Sequence, residues 1–414
     1  MKSVTFFIVL FCSLFTLTSC SKENLSPSTP PSTSSPESEL VEIQIKQQPE
    51  QLIYALHSSE PINLKGLLLE GTYSNGEKRI LTVKAEHIFN FSTQKENQQL
   101  PVTIRIEGKE AVFHVQIVND TLNQVEDDGT DTYTVAPHIR HIGPKAFQNT
   151  HFTHVILNEG LVSIGKEAFA GTPVAHIQFP STLQEIETLA FYLCHYLKEA
   201  DLSHTQLTAI RENVFHSSGI QQIQLPSTLT HIEDQAFLNT HQLQNITLPS
   251  SVQSIGMEAF RASGITHAVL PNNLRQSGKR AFMLCNNLTT VTCTHEPVTY
   301  TEGYIASGFF EKCPHLQEIS YPGSICNIDR SQVSENPTLT LLRLPAHLQT
   351  IGFSAFDNCQ HIERIELLAS TPPSLDIYSL PKANKITQIT VPQGSIGTYT
   401  SHTDWKKYLS VIKE

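Results

Sequence analysis

One recurring phrase limits what this chain can fold into. Ile164-Gly165-Lys166-Glu167-Ala168-Phe169 returns in variant form at Ile142 to Phe147, Ile186 to Phe191, Ile232 to Phe237, Ile255 to Phe260 and Ile351 to Phe356. The anchoring aromatics Phe147, Phe169, Phe191, Phe215, Phe237, Phe260 and Phe282 are spaced 22 to 24 residues apart. A fixed period of that length marks a stacked array, in which no unit can bury its own apolar face and each relies on its neighbours. Phe310 follows Phe282 after 28 residues and Phe356 comes 46 later, leaving room for a degenerate coil with Val333 in the aromatic slot. The array is therefore one cooperative solenoid of about ten coils with specialised ends.

Each coil reads L-x-x-I-x-L-P-x-x-L-x-x-I-G-x-x-A-F-x-x-[CST], most cleanly from Leu243 through Ile246, Leu248 and Pro249 to Phe260 and Ser263. The alternating I-x-L predicts one short strand per coil, stopped by a proline that lacks a backbone donor. Stacked in parallel, these strands make a sheet. The apolar spacing i, i+4, i+5 from Ile past Phe predicts a single helical turn laid against it. Outward strand slots fall at Gln178, Asp201, Gln224, Thr247, Thr292, Ser320, Arg343 and Glu366, with Glu199, Gln222 and Asn245 beside them. This column is polar and changes from coil to coil while the scaffold repeats. The candidate ligand-binding face is accordingly Gln178, Glu199, Asp201, Gln222, Gln224, Asn245 and Thr247.

The consensus resembles the BspA-like leucine-rich repeats of bacterial surface proteins, of Bacteroidetes type, over residues 133–368. The phrase Ile386-x-x-Ile389-x-Val391-Pro392, then Gly394-Ser395 and an amphipathic stretch through Tyr399, Trp405 and Tyr408, resembles the C-terminal cap of that family, placed at 369–414. The resemblance implies adhesion to host matrix proteins, other bacteria or glycans.

At the other end, Lys2 precedes an apolar run from Val4 to Leu17, shaped like a signal-peptide core and short for a membrane span. Leu17-Thr18-Ser19-Cys20 resembles a bacterial lipobox, which implies removal of residues 1–19 and lipidation of Cys20. Residues 20–38 then form a Ser/Thr/Pro-rich stalk, extended enough to lift the folded part by several tens of ångströms.

Residues 39–119 switch to alternating strands around Val41-x-Ile43-x-Ile45, Leu67-x-Leu69, Val102-x-Ile104-x-Ile106 and Val112 to Ile117, with a hairpin turn at Asn75-Gly76. Short strands over such a length predict a small β-sandwich. Gly66 to Gly76 resembles the signature of bacterial Ig-like domains of Big-3 type, which implies a spacer. Residues 120–132, with Glu126-Asp127-Asp128-Gly129, read as a solvated linker, since the D-x-[DN]-x-[DN]-G spacing of a calcium loop is missing. The whole is mainly β: an Ig-like sandwich, a leucine-rich-repeat solenoid and a cap.

The formal charge of −11 disfavours nucleic acid and anionic membrane surfaces, leaving the lipid anchor as the membrane contact. Cys194, Cys285, Cys313 and Cys359 share the slot of Thr150, Thr172, Ser218, Thr240 and Ser263, which asks for a small buried side chain and not a bridge. Cys293 reads as core, and Cys326, in an otherwise polar slot, as the one exposed thiol, free or bridged to a partner such as Cys313 or Cys293. His138-x-x-His141 and His151-x-x-His154 have ligand-like spacing but no repeating carboxylate or Cys partners, so no metal site is assigned. No G-x-S-x-G, H-E-x-x-H or phosphate-binding glycine loop occurs, and no cofactor or catalysis is expected. The reading is a lipid-anchored outer-membrane adhesion protein, facing the cell surface or the periplasm, that binds a surface protein or glycan. The alternative is an accessory lipoprotein of a glycan-uptake system, which exposed aromatics in the strand columns would mark. Those columns hold none except Tyr321, at an inward slot.

Overall fold

The computed structural model describes residues 38–414, so the signal segment, Cys20 and nearly all of the stalk lie outside the described residues. Residues 40–118 form two small sheets. Leu40–Gln47, Leu68–Tyr73 and Lys78–Leu81 are antiparallel in one. Ile53–Ala55, Lys109–Val118, Asn97–Ile106 and Ile88–Phe89 line up in the other, with the first pair parallel. The sheets enclose a core of Leu40, Ile43, Tyr54, Leu69, Val102, Ile104, Phe113, Val115 and Ile117. Two strand phrases are offset from expectation. A bulge between Leu40 and Glu42 turns Leu40 inward and leaves Val41 exposed, and on the last strand Phe113 is buried while Val112 faces out. The hairpin forms at Asn75-Gly76 as expected: the N–H of Gly76 donates to Tyr73 O at 2.8 Å, and Gly76 supplies the left-handed residue (φ +82°).

From residue 121 onward the chain is a solenoid with one continuous core. The Ile-x-Leu strands stack in parallel, in register, as expected: His154–Ile156 beside His176–Gln178, Glu199–Asp201 beside Gln222–Gln224, and Asn245–Thr247 beside His267–Leu270. The phenylalanines form a stacked spine from Phe147 to Phe282, with ring centroids of successive coils 4.4 to 5.6 Å apart. Val333 occupies the aromatic slot of the degenerate coil, fully buried.

Three features depart from the sequence reading. First, each coil carries two strands. The two residues ending in the conserved Ile, such as Ser163–Ile164 and His231–Ile232, build a second parallel ladder on another side of the solenoid. Second, the segment around Phe is not a helical turn. The residues two before and two after each anchor take left-handed φ, as in Glu258 (56°) and Ala262 (53°) around Phe260. The N–H of each anchor from Phe147 to Val333 then donates to the next coil, as in Phe237 N to Ala259 O at 2.7 Å and Phe260 N to Ala281 O at 2.7 Å. Tight turns satisfy the apolar spacing as well as a helix does, and they point the backbone along the stack. Most of these left-handed positions are not glycine, and none is β-branched, the class for which that conformation is most strained. Third, the segment 120–132 is not a free linker. Thr121–Leu122 pairs in parallel with His141–Ile142 as the first rung, Val125 enters the core, and Asp127 accepts from the N–H of His151 at 2.9 Å.

At the far end Tyr399, Trp405 and Tyr408 close the core. Their polar tips donate to the carbonyls of Ala369, Pro373 and Pro381 at 2.7, 2.8 and 2.9 Å. Ile412–Lys413 adds the last rung to Gln388–Thr390.

Candidate binding face

Alternation within each three-residue strand decides what faces out. The middle residue, such as Ala200, Ile223 or Ile246, turns into the core, and its two neighbours project to solvent. Gln178, Glu199, Asp201, Gln222, Gln224, Asn245 and Thr247 are all exposed and share one side of the stack. The parallel register brings Glu199 beside Gln222 and Asp201 beside Gln224. Asp201 also accepts from Ser203 N at 3.0 Å, and Ser203 holds its carboxyl below the usual carboxylate range, so it presents a fixed negative charge.

Between Gln222–Gln224 and Asn245–Thr247 the ladder is interrupted. A recess of about 440 Å³ opens there, lined by Ile223 and Leu225 and by six polar side chains, Gln221, Gln222, Gln224, Gln244, Asn245 and Thr247. Five of these six side chains are carboxamides, each a donor and an acceptor, so the recess offers hydrogen bonds without charge.

The same rows continue to both sides with residues the sequence reading left out. His154 and His176 occupy the first slot of their strands with imidazoles stacked 4.5 Å apart, and His267 follows further along. Counting the repeat period backward and forward from Glu199 finds all three. Towards the C-terminal end the face becomes charged and internally paired: Arg343 meets Glu366 at 2.7 Å and Glu318 at 3.6 Å. Ser320, Arg343 and Glu366 are only half-exposed, so the open part of the face lies in the N-terminal and middle coils.

The cysteines belong to the interior. Cys194, Cys285, Cys313 and Cys359 are buried free thiols whose S–H groups donate to the carbonyls of Phe169, Phe260, Phe282 and Val333 at 2.9 to 3.2 Å. Thr150, Thr172 and Thr240 instead donate hydroxyls to the Phe carbonyl of their own coil at 2.8 to 2.9 Å, while Ser218 finds no partner and Ser263 meets Cys285 Sγ at 3.3 Å, so what the slot shares is a small buried side chain. Burial pushes the Cys194 and Cys359 thiols up to about 12, far from the reactive thiolate. Cys293 is half-buried and donates to Ser320 O at 3.1 Å. Cys326 corrects the expectation of an exposed thiol. At 5% exposure it is covered, because the second ladder, unforeseen from sequence, runs through Ile325–Ile328. Tyr321 is buried as its inward slot required, donating its hydroxyl to Gln332 Oε1.

Comparison with curated proteins gives no match. Among solved structures the chain is similar to the pneumococcal vaccine antigen PcpA, at 15% identity over 91% of this chain and 98% of that one, with a TM-score of 0.38. It is also similar to a leucine-rich repeat protein from Bacteroides ovatus, at 18% identity over 72% and 99% with a TM-score of 0.35. A leucine-rich cell surface protein from Faecalibacterium prausnitzii matches at 16% identity over 76% and 92% with a TM-score of 0.32. The model of the BspA type leucine rich repeat region matches in six copies at residues 130–227, 208–340 and 297–403. Matched over well more than half its length, the chain belongs to the BspA-type leucine-rich-repeat family.

Proposed function

We propose that this is a lipid-anchored surface binding protein, held through Cys20 at the outer membrane, whose solenoid engages a host or bacterial surface protein through its polar strand face. One observation carries the reading. Glu199, Asp201, Gln222, Gln224, Asn245 and Thr247 project side by side from a scaffold whose buried residues repeat while these vary. Solenoids bind through such extended faces, because outward side chains can change without disturbing the stack. The anchor and stalk raise that face from the membrane, and the two-sheet module at 40–118, on this reading an Ig-like spacer of Big-3 type, extends the reach. No chemistry is assigned to the face: its groups are exposed polar side chains, and the proposed role is recognition and not catalysis.

Two substitutions test the two halves separately. Cys20→Ser removes the acylated thiol and should move the protein from membrane to soluble fractions; recovery in membranes at the wild-type level overturns the anchor. Glu199→Lys combined with Asp201→Lys should weaken attachment of intact cells to their partner surface by roughly tenfold or more. Both side chains are exposed, so the melting temperature should stay unchanged. Wild-type attachment by the double variant would remove this face from the account.

A further inference from the structure

The second strand ladder has an outward column of its own, running through His231, Ser254, Gln276 and Tyr304 on four successive coils. At the strand spacing of about 4.8 Å these rungs span roughly 14 Å. The column borders a recess of about 460 Å³ whose lining includes the backbone at Gly256 and Gly278. A Cβ on Gly256 would lie 2.5 Å from Asp234 N, and one on Gly278 would lie 2.1 Å from Met257 N, so the coils can approach this closely only with glycine there.

Tyr304 is 44% exposed between two buried neighbours, and its ring stacks on no other aromatic among the described residues. Its seat is built by a departure from the repeat. Where other coils place the core Ile232 or Ile255, this one has Ser277, also buried. The Ser277 hydroxyl donates to Tyr304 O at 3.0 Å and accepts from Ala306 N at 2.8 Å. These bonds join two sheets at the point where the ladder itself stops. A core apolar contact has been exchanged for two hydrogen bonds that fix the strand carrying the exposed ring.

Charge in the recess is largely committed. Glu233 is held by Arg211 at 2.9 Å and by Glu212 N at 3.1 Å, while Asp234 accepts from Met257 N at 2.7 Å. What remains for a ligand is the amide of Gln276, the hydroxyl of Ser254, the far nitrogen of His231, whose Nδ1 already meets Thr230 Oγ1 at 2.7 Å, and the exposed Glu212 carboxylate, which accepts from Asn213 Nδ2 at 3.2 Å. Each of these suits a hydroxyl, which donates and accepts at once. Tyr304 adds an apolar ring face.

From this combination we infer that the recess is a second binding site, distinct from the polar strand face, for an uncharged oligosaccharide lying along the solenoid axis with one sugar ring stacked on Tyr304. Shallow backbone and a single presented ring match the flat apolar faces and rim hydroxyls of a sugar chain.

Calorimetric titration of the full chain with neutral hexasaccharides built from glucose, mannose, xylose or galactose tests this. At least one should bind with a dissociation constant below a millimolar. Tyr304→Ala should weaken it roughly tenfold or more, about 1.4 kcal/mol, with an unchanged melting temperature, and Tyr304→Phe should bind like the wild type. The Glu199→Lys, Asp201→Lys variant should bind the sugar normally, so failure of the strand face and failure of this site are separable. Absence of binding by all four sugars, binding only of uronic or sulfated hexasaccharides, or wild-type affinity in Tyr304→Ala would overturn the site.

Discussion

Phe237→Ala is expected to lower the stability of the solenoid by about 3–5 kcal/mol, the usual cost of truncating a buried phenylalanine. Phe237 is fully buried and stacked between Phe215 and Phe260, at 5.4 and 5.1 Å, so its removal empties a space flanked by two further rings. The neighbouring coils cannot collapse into it without breaking the bond from Phe237 N to Ala259 O and the one from Phe215 N to Ala236 O. Because coupling runs between nearest neighbours, loss of amide protection should reach the coils of Phe215 and Phe260 before more distant ones. Thermal melting and hydrogen exchange measure both effects. An unchanged melting temperature would show that the spine does not bear the stack.

Trp405→Ala should have a comparable cost in a different place. Trp405 is fully buried, and its indole N–H donates to Pro373 O, so the substitution leaves both a void and an unsatisfied carbonyl. The expected consequence is fraying from the C-terminal end: Ile412–Lys413 should release from Gln388–Thr390 while the coils around Phe237 stay protected. Trp405→Phe should restore part of the packing without the hydrogen bond and fall between the two. Uniform loss of protection along the solenoid would contradict a capping role.

The Phe spine, the Ile-x-Leu register and the Cys/Ser/Thr slot were legible because each rests on a long-range period that single substitutions cannot hide. Outward placement of Glu199 to Thr247 followed from strand alternation alone. The second ladder was not legible: two residues such as Ser163–Ile164 are too short to show a period of two, and their partners lie a whole coil away. The left-handed turns were read as helix because i, i+4, i+5 spacing does not distinguish a helical turn from two reversals flanking a buried Phe. Thr121–Leu122 was read as linker because its acidic surroundings look solvated, although Asp127 is engaged by His151. Cys326 and Tyr304 were misplaced or passed over for the same reason: both belong to the ladder that local sequence does not reveal.

Site-specific photo-crosslinking tests recognition through the polar strand face most directly. A photoreactive side chain at Gln222 or Asn245 of the full chain, on intact cells exposed to their partner surface, should yield a covalent adduct with a surface protein. The same group at His195 or His241, exposed on the turn side of the coils, should yield none. Adducts confined to positions in the 40–118 module, such as the exposed Ile80, would show that module to be the receptor and the solenoid its scaffold.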